Sequence, residues 1–166
     1  MRSRDRAGER GALSGPETER LSLRAADDDD LAVIASVLQD AVVSIGDLKY
    51  ISADKLFVML ASRFRWEVRA EDGLLSEAGE PVYERVHCGV AFEAVEGVKM
   101  RGLDLKDRGQ FLELLTVRAE AGAVILTFAG GAAIRLDVPR LSCHMRDMGE
   151  PWPTTVRPDH SLPQDG

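Results

Sequence analysis

The sequence predicts an α+β domain: a curved, mostly antiparallel sheet or half-barrel of about seven to eight strands, with one long N-terminal helix packed on it. Three observations lead there. Only the stretch beginning at Leu31 repeats its apolar residues at helical spacing. Most of the remaining folded region alternates apolar and polar residues, as half-buried strands do. The strands are joined by short turns and not by helices, which selects antiparallel pairing. A sheet of this size curls or closes to shield its edges.

Taken in order, residues 1–19 are rich in Arg, Glu, Gly and Ser without any apolar period, and are expected to form a disordered lead-in. One domain is expected over 20–160, followed by a flexible tail at 161–166. Leu21-Ser22-Leu23-Arg24 alternates and starts the fold as a short strand. Asp27 to Asp30 open the helix, where carboxylates cap free N–H groups and complement the dipole. Leu31, Ile34, Leu38 and Val42 give it an apolar face, and Gly46 suits its C-terminal cap. Asp47 to Ser52 and Lys55 to Trp66 read as a hairpin turning at Ala53-Asp54. Gly73, Gly79, Pro81 and several acids make 68–81 a loop.

Arg85 to Met100 reads as one long strand bent at Gly97. Val86, Cys88, Val90, Phe92, Ala94, Val98 and Met100 lie on its dry face. Leu112 to Glu120 follows, entered through a helical turn at Asp107 to Gln110. Ala123 to Ala129 and Ala133 to Val138 form a hairpin around Gly130-Gly131. Pro139 interrupts, and Leu141, Cys143 and Met145 mark the last strand.

A length of 166 residues with 45% hydrophobic and 30% charged residues suits one domain with a real core. A net charge of −7 argues against general binding to nucleic acid or anionic membrane, which needs a basic face. There is no apolar run of membrane-spanning length and no secretory signal, so a cytoplasmic location is expected. Two cysteines, Cys88 and Cys143, make no disulfide framework.

His87-Cys88 and Cys143-His144 offer the residue types of a zinc set. Period two sends each Cys to the core side and each His to the solvent side, so the four do not converge and no metal is expected. The four consecutive aspartates point in different directions around a helix and make no cation loop. There is no nucleophile elbow, and Gly130-Gly131 lacks the Lys-Ser/Thr and following helix of a phosphate loop. Neither catalytic residues nor a cofactor are expected.

Arg63 and Arg65 are the informative pair. They share a strand parity with Phe57, Met59 and Ala61, and same-face positions stand about 7 Å apart. Two guanidiniums so placed could grip one carboxylate or phosphate. The competing and favoured reading is internal pairing with Asp40, Asp47 or Glu67. If the chain has a polar site, it is expected to gather Arg63, Arg65, Asp40, Asp47 and Tyr50 at one end of the sheet. Trp152, between two prolines, is either an anchor for a partner or, as favoured, a plug against the body of the domain.

Several blocks together resemble a known family. They are Gln39-Asp40-Ala41-Val42, Arg63-Phe64-Arg65-Trp66-Glu67, Leu126-Thr127-Phe128-Ala129-Gly130-Gly131 and Ile134-Arg135-Leu136-Asp137-Val138. Asp147, Gly149, Trp152, Thr154, Pro158 and His160 continue the likeness. The chain is similar, from about Leu21 to His160, to an alphaproteobacterial family catalogued only as a domain of unknown function, in which a third Gly is usual where Ala132 stands. The resemblance implies a bacterial cytosolic origin and a folded C-terminal segment, and supplies no mechanism. The leading expectation is a small non-catalytic binding or regulatory module whose partner is an unknown protein or a small anionic ligand. One alternative is an enzyme or small-ligand binder that holds an anionic group with Arg63 and Arg65. Another is the subunit of a homodimer formed through an open sheet edge.

Overall fold

The computed structural model describes residues 20–67 and 83–154. The expected lead-in at 1–19, the loop at 68–81, the tail from 161 and the family residues Pro158 and His160 lie outside the described residues.

Helix formation follows from the aspartates. Asp27 is the N-cap, and its side chain accepts the Asp30 N–H at 2.8 Å. Asp28, Asp29 and Asp30 fill the first turn of α1 (Asp28–Val37), where the helix dipole favours negative charge. Leu31, Ile34 and the capping Leu38 are buried, so the predicted apolar face is present. The helix is shorter than expected, at ten residues. Asp40 takes a φ of 66°, a left-handed conformation that Asp tolerates better than most residues and that turns the chain out of the helix. The β-branched pair Val42-Val43 then starts a strand. Val42 therefore belongs to the sheet, and Gly46 lies within a strand and does not cap the helix.

Among the described residues nine strands follow in chain order: β1 (Ser22–Ala25), β2 (Val42–Ile51), β3 (Leu56–Phe64), β4 (Tyr83–Phe92), β5 (Gly97–Arg101), β6 (Phe111–Glu120), β7 (Ala123–Phe128), β8 (Ala133–Asp137) and β9 (Cys143–Thr154). They form one open sheet in the order β1-β9-β4-β3-β2-β6-β7-β8-β5, with every pair antiparallel. The count exceeds the expected seven to eight because the stretch 85–100 is two strands. β4 ends at Phe92, Ala94 takes a φ of 59°, and β5 pairs with β8 at the far edge. Residues 93–96 bridge the two halves: Val95 N–H donates to Lys55 O at 2.8 Å and Glu96 N–H to Asp137 O at 2.8 Å. An alternation that persists across a crossover reads as one strand in the sequence.

Bulges bend the sheet. The register shifts in β2 between Val43 and Leu48 and in β6 between Leu114 and Thr116, and each shift adds local twist. Two inner faces thereby close on one core. Phe57, Met59, Val90 and Phe92 come from one half, and Leu126, Phe128, Ile134 and Leu136 from the other. Helix α1 packs against β1 and β6. The β7–β8 turn uses Gly130 and Gly131 at φ of 85° and 90°, a region open to glycine at no steric cost. Cys88 and Cys143 lie in the core, while His87 and His144 stand on the opposite side of their strands. Among the described residues no helix is long and apolar enough to cross a membrane.

Candidate functional site

Arg63 is wholly buried, the largest side chain so enclosed. Its strand parity with Phe57, Met59 and Ala61 sends it inward, as the pattern predicts. Such a cation survives only if all its donors are used. Nε and Nη2 grip Asp147 at 2.8 and 2.7 Å, in a bidentate pair. Nη1 and Nη2 donate to Glu67 at 3.1 and 2.8 Å, and Nη1 also to Phe64 O at 2.8 Å. The five N–H groups of the guanidinium are thus all engaged. Asp147 in turn accepts the Leu21 N–H at 3.0 Å, and its own N–H reaches Leu21 O at 2.9 Å. The cluster ties β1, β3 and β9 together. Burial disfavours the Arg63 cation, but the hydrogen bonds to Asp147 and Glu67 outweigh it and raise its pKa above the ordinary value.

Arg65 pairs with Glu84 at short range, and lies 3.9 Å from Glu67. Glu67 therefore stands between the two arginines, as the internal-pairing reading anticipates. Asp147 and Glu84 are partners the sequence did not single out, since they sit on strands whose register is invisible before folding. Burial raises the Glu67 pKa, but the Arg63 hydrogen bonds and a backbone bond overcome that and hold it below the ordinary value of 4.5. A carboxylate with a lowered folded pKa stabilises above its unfolded pKa and loses that contribution as pH falls through the folded one. Stability should therefore decline on acidification below pH 4.5, with the Glu67 share at most about 1 kcal/mol because the group is partly solvated. Thermal melts of the parent and Glu67→Gln from pH 7 down to about pH 3 measure it. An acid limb equally steep in the variant would remove Glu67 from the account.

Asp47 and Tyr50 lie elsewhere. Asp40 is buried in the turn after α1, where its N–H donates to Leu114 O at 2.9 Å. Tyr50 is opposite Phe57, so it stands about 20 Å along the strand from Arg63. Its hydroxyl donates to Val95 O at 2.8 Å and fastens the bridge between the sheet halves. Asp47 is exposed beside the β2 bulge. Arg63 thus gathers with Glu67 and Asp147 and Arg65 with Glu84, while Tyr50 lies far along the strand and Asp47 on the other face. Trp152 is half-buried on the outer face, 4.7 Å between centroids from the His87 ring, so it packs on the body of the domain.

Asp47 instead lines a groove of about 310 Å³ on that outer face. Register explains its composition. Ser62 is flanked by Val42 on β2 and His87 on β4, Phe64 faces Arg85, and Ser44 faces Phe111. Leu60 and Phe111 form apolar walls, and Phe111 is 70% exposed. Arg85 is fixed at the polar end. Its Nη1 donates to Ser62 O at 2.8 Å and Ser62 Oγ at 3.0 Å, and its guanidinium lies 3.9 Å from the Phe64 ring centroid. Among the described residues no carboxylate lies within ion-pair distance of it. Burial lowers its pKa below the ordinary value, and the longer-range fields of Asp40 and Glu113 offset this only in part. Arg85 sits on the polar side of its strand, where an arginine has no distinction in the sequence until the neighbouring strands are placed. Among the described residues no group of three or more His, Cys, Asp or Glu is arranged to hold a metal ion.

The fold and its buried ion cluster define an α+β protein, with an open antiparallel sheet and one short α-helix among the described residues. Residues 21–160 match the family described as Protein of unknown function (DUF2948), and the chain belongs to that family. No curated protein matches the chain, and no solved structure does.

Proposed function

We propose that the protein is a small non-catalytic binding module of the bacterial cytoplasm, and that its outer groove takes a ligand or partner group presenting a carboxylate beside an apolar moiety. Arg85 carries this reading. It is a half-buried cation, oriented by Ser62 and Phe64, without an ion-pair partner among the described residues. Such a group gains most from a charge-assisted, bidentate contact with an incoming carboxylate. Leu60, Val42 and Phe111 supply apolar contact alongside, and the groove volume sits at the lower end of small-ligand sites. The anion-holding role first considered for Arg63 passes to Arg85, because internal acceptors use all of Arg63's donors.

Phenylacetate is a suitable probe and phenylacetamide its uncharged control. Titration with the acid should shift the backbone amide resonances of Leu60, Ser62 and His87, and the amide should act at least about tenfold more weakly. Arg85→Gln should abolish the difference while costing no more than about 1 kcal/mol of stability, since it removes one cation–π contact and partly solvated hydrogen bonds. Equal responses to acid and amide, or an unchanged response in the variant, would remove Arg85 from the function.

A further inference from the structure

The outer face of the other half of the sheet carries a second feature. Across β5, β8, β7 and β6, Lys99, Arg135, Ile125 and Arg118 stand in one row. Arg101 begins the next row, paired with Ala133. These residues, with Glu120, line a depression of about 310 Å³ whose floor includes Ile125 and Ala133. Arg135 reaches Asp137 at 3.1 Å and Glu120 at 3.6 Å, and Arg118 reaches Glu120 at 3.4 Å. Lys99 and Arg101 have no acid partner among the described residues. Four cations stand against two carboxylates, Glu120 and Asp137, which only Arg118 and Arg135 reach, and this leaves a local excess of positive charge on a chain whose net charge is −7.

We infer that this depression is a binding site for a small phosphate-bearing anion. Like charges directly opposite on neighbouring strands destabilise a sheet, and Lys99 faces Arg135 directly. β5 is an edge strand, and charges on an edge guard against pairing with other chains. That accounts for Lys99 and Arg101 alone. It does not account for Arg118 and Arg135 on inner strands, nor for all four cations lining one concavity whose uncharged residues are apolar. A multiply charged anion seated over Ile125 and Ala133 relieves the repulsion and meets donors from three strands at once. Its size is bounded by the depression, which favours a small molecule over a nucleic-acid strand. This site is separate from the Arg85 groove and stands or falls without it.

Inorganic pyrophosphate is the probe, titrated calorimetrically into the whole chain at low ionic strength in buffer free of other phosphate. Saturable one-to-one binding is expected, with a dissociation constant below about 1 mM. Lys99→Gln with Arg101→Gln should weaken it at least about tenfold. Both residues are exposed, so the double variant should melt like the parent. Arg118→Gln, also exposed, should weaken binding as an independent check, whereas Arg85→Gln should leave it unchanged. Failure to saturate, or equal binding by the Lys99/Arg101 double variant, would overturn the site. So would tighter binding of single-stranded oligonucleotides that strengthens with their length, because that marks an extended polyanion surface.

Discussion

Replacing Arg63 with alanine is expected to cost about 3–5 kcal/mol of folding stability, because it leaves the buried Asp147 carboxylate without its counter-charge. For a chain of this length that lowers the melting temperature by roughly 6–20 °C. The expectation rests on geometry. Asp147 is 3% exposed and receives two of its hydrogen bonds from Arg63, at 2.8 and 2.7 Å. The Leu21 N–H remains to it, and one amide does not compensate a carboxylate in the interior. Glu67 loses its main partner as well. Removing both members of the central pair, as Arg63→Ala with Asp147→Ala, should cost clearly less than the two single losses added together, since neither charge is then left stranded. Urea denaturation of the four proteins closes the cycle. A loss below about 1 kcal/mol in Arg63→Ala would show that the cluster is solvated and contributes as a surface pair does.

What the sequence made legible divides along physical lines. Local chemistry was readable: the aspartate cap of α1, the turn at Ala53-Asp54, the Gly130-Gly131 hairpin and the inward parity of both cysteines all follow from neighbours along the chain. Length of an element was not. α1 stops at Val37 because Asp40 turns the chain and Val42-Val43 finds a partner in β3, a tertiary preference that overrides an apolar spacing running on to Val42. The break between β4 and β5 was hidden for the same reason, since Val98 and Met100 keep the parity of Phe92 after the chain has crossed to another edge.

The polar site shows the limit most clearly. The inward direction of Arg63 was within reach of strand periodicity, but its contact with Glu67 arises because β3 ends at Phe64 and the chain turns. Asp147 lies 84 positions away, and only the β9 register delivers it. Arg85 becomes notable only once β3 lies beside β4 and, among the described residues, no acid stands within ion-pair distance of it. Pairing across a sheet decides which charges are spent on the fold and which are left to meet a ligand, and pairing is the property that periodicity along one strand does not contain.

The two cysteines offer a direct measure of how tightly the core is held. Burial pushes both thiols up to about 12 from an ordinary 9.0, and for Cys88 the nearby Arg63 charge only partly opposes this. At neutral pH that shift alone reduces the thiolate population about a thousandfold, and the thiolate is the reactive form. Alkylation by iodoacetamide should therefore be slower by about that factor or more than in urea, because it must also wait for the core to open. Under fast reclosing the rate follows the equilibrium population of the open form. Arg63→Ala should then accelerate it roughly a hundredfold to a few thousandfold, the ratio that its loss of stability implies. Cys88 lies opposite Asp147 on β9, beside the ion cluster, whereas Cys143 lies opposite Phe92 and Ala25 at the other end of the same strands. One cooperative core requires both to accelerate together. Mass spectrometry of the two peptides resolves them, and acceleration at Cys88 alone would show that Arg63 holds only its own end of β3, β4 and β9.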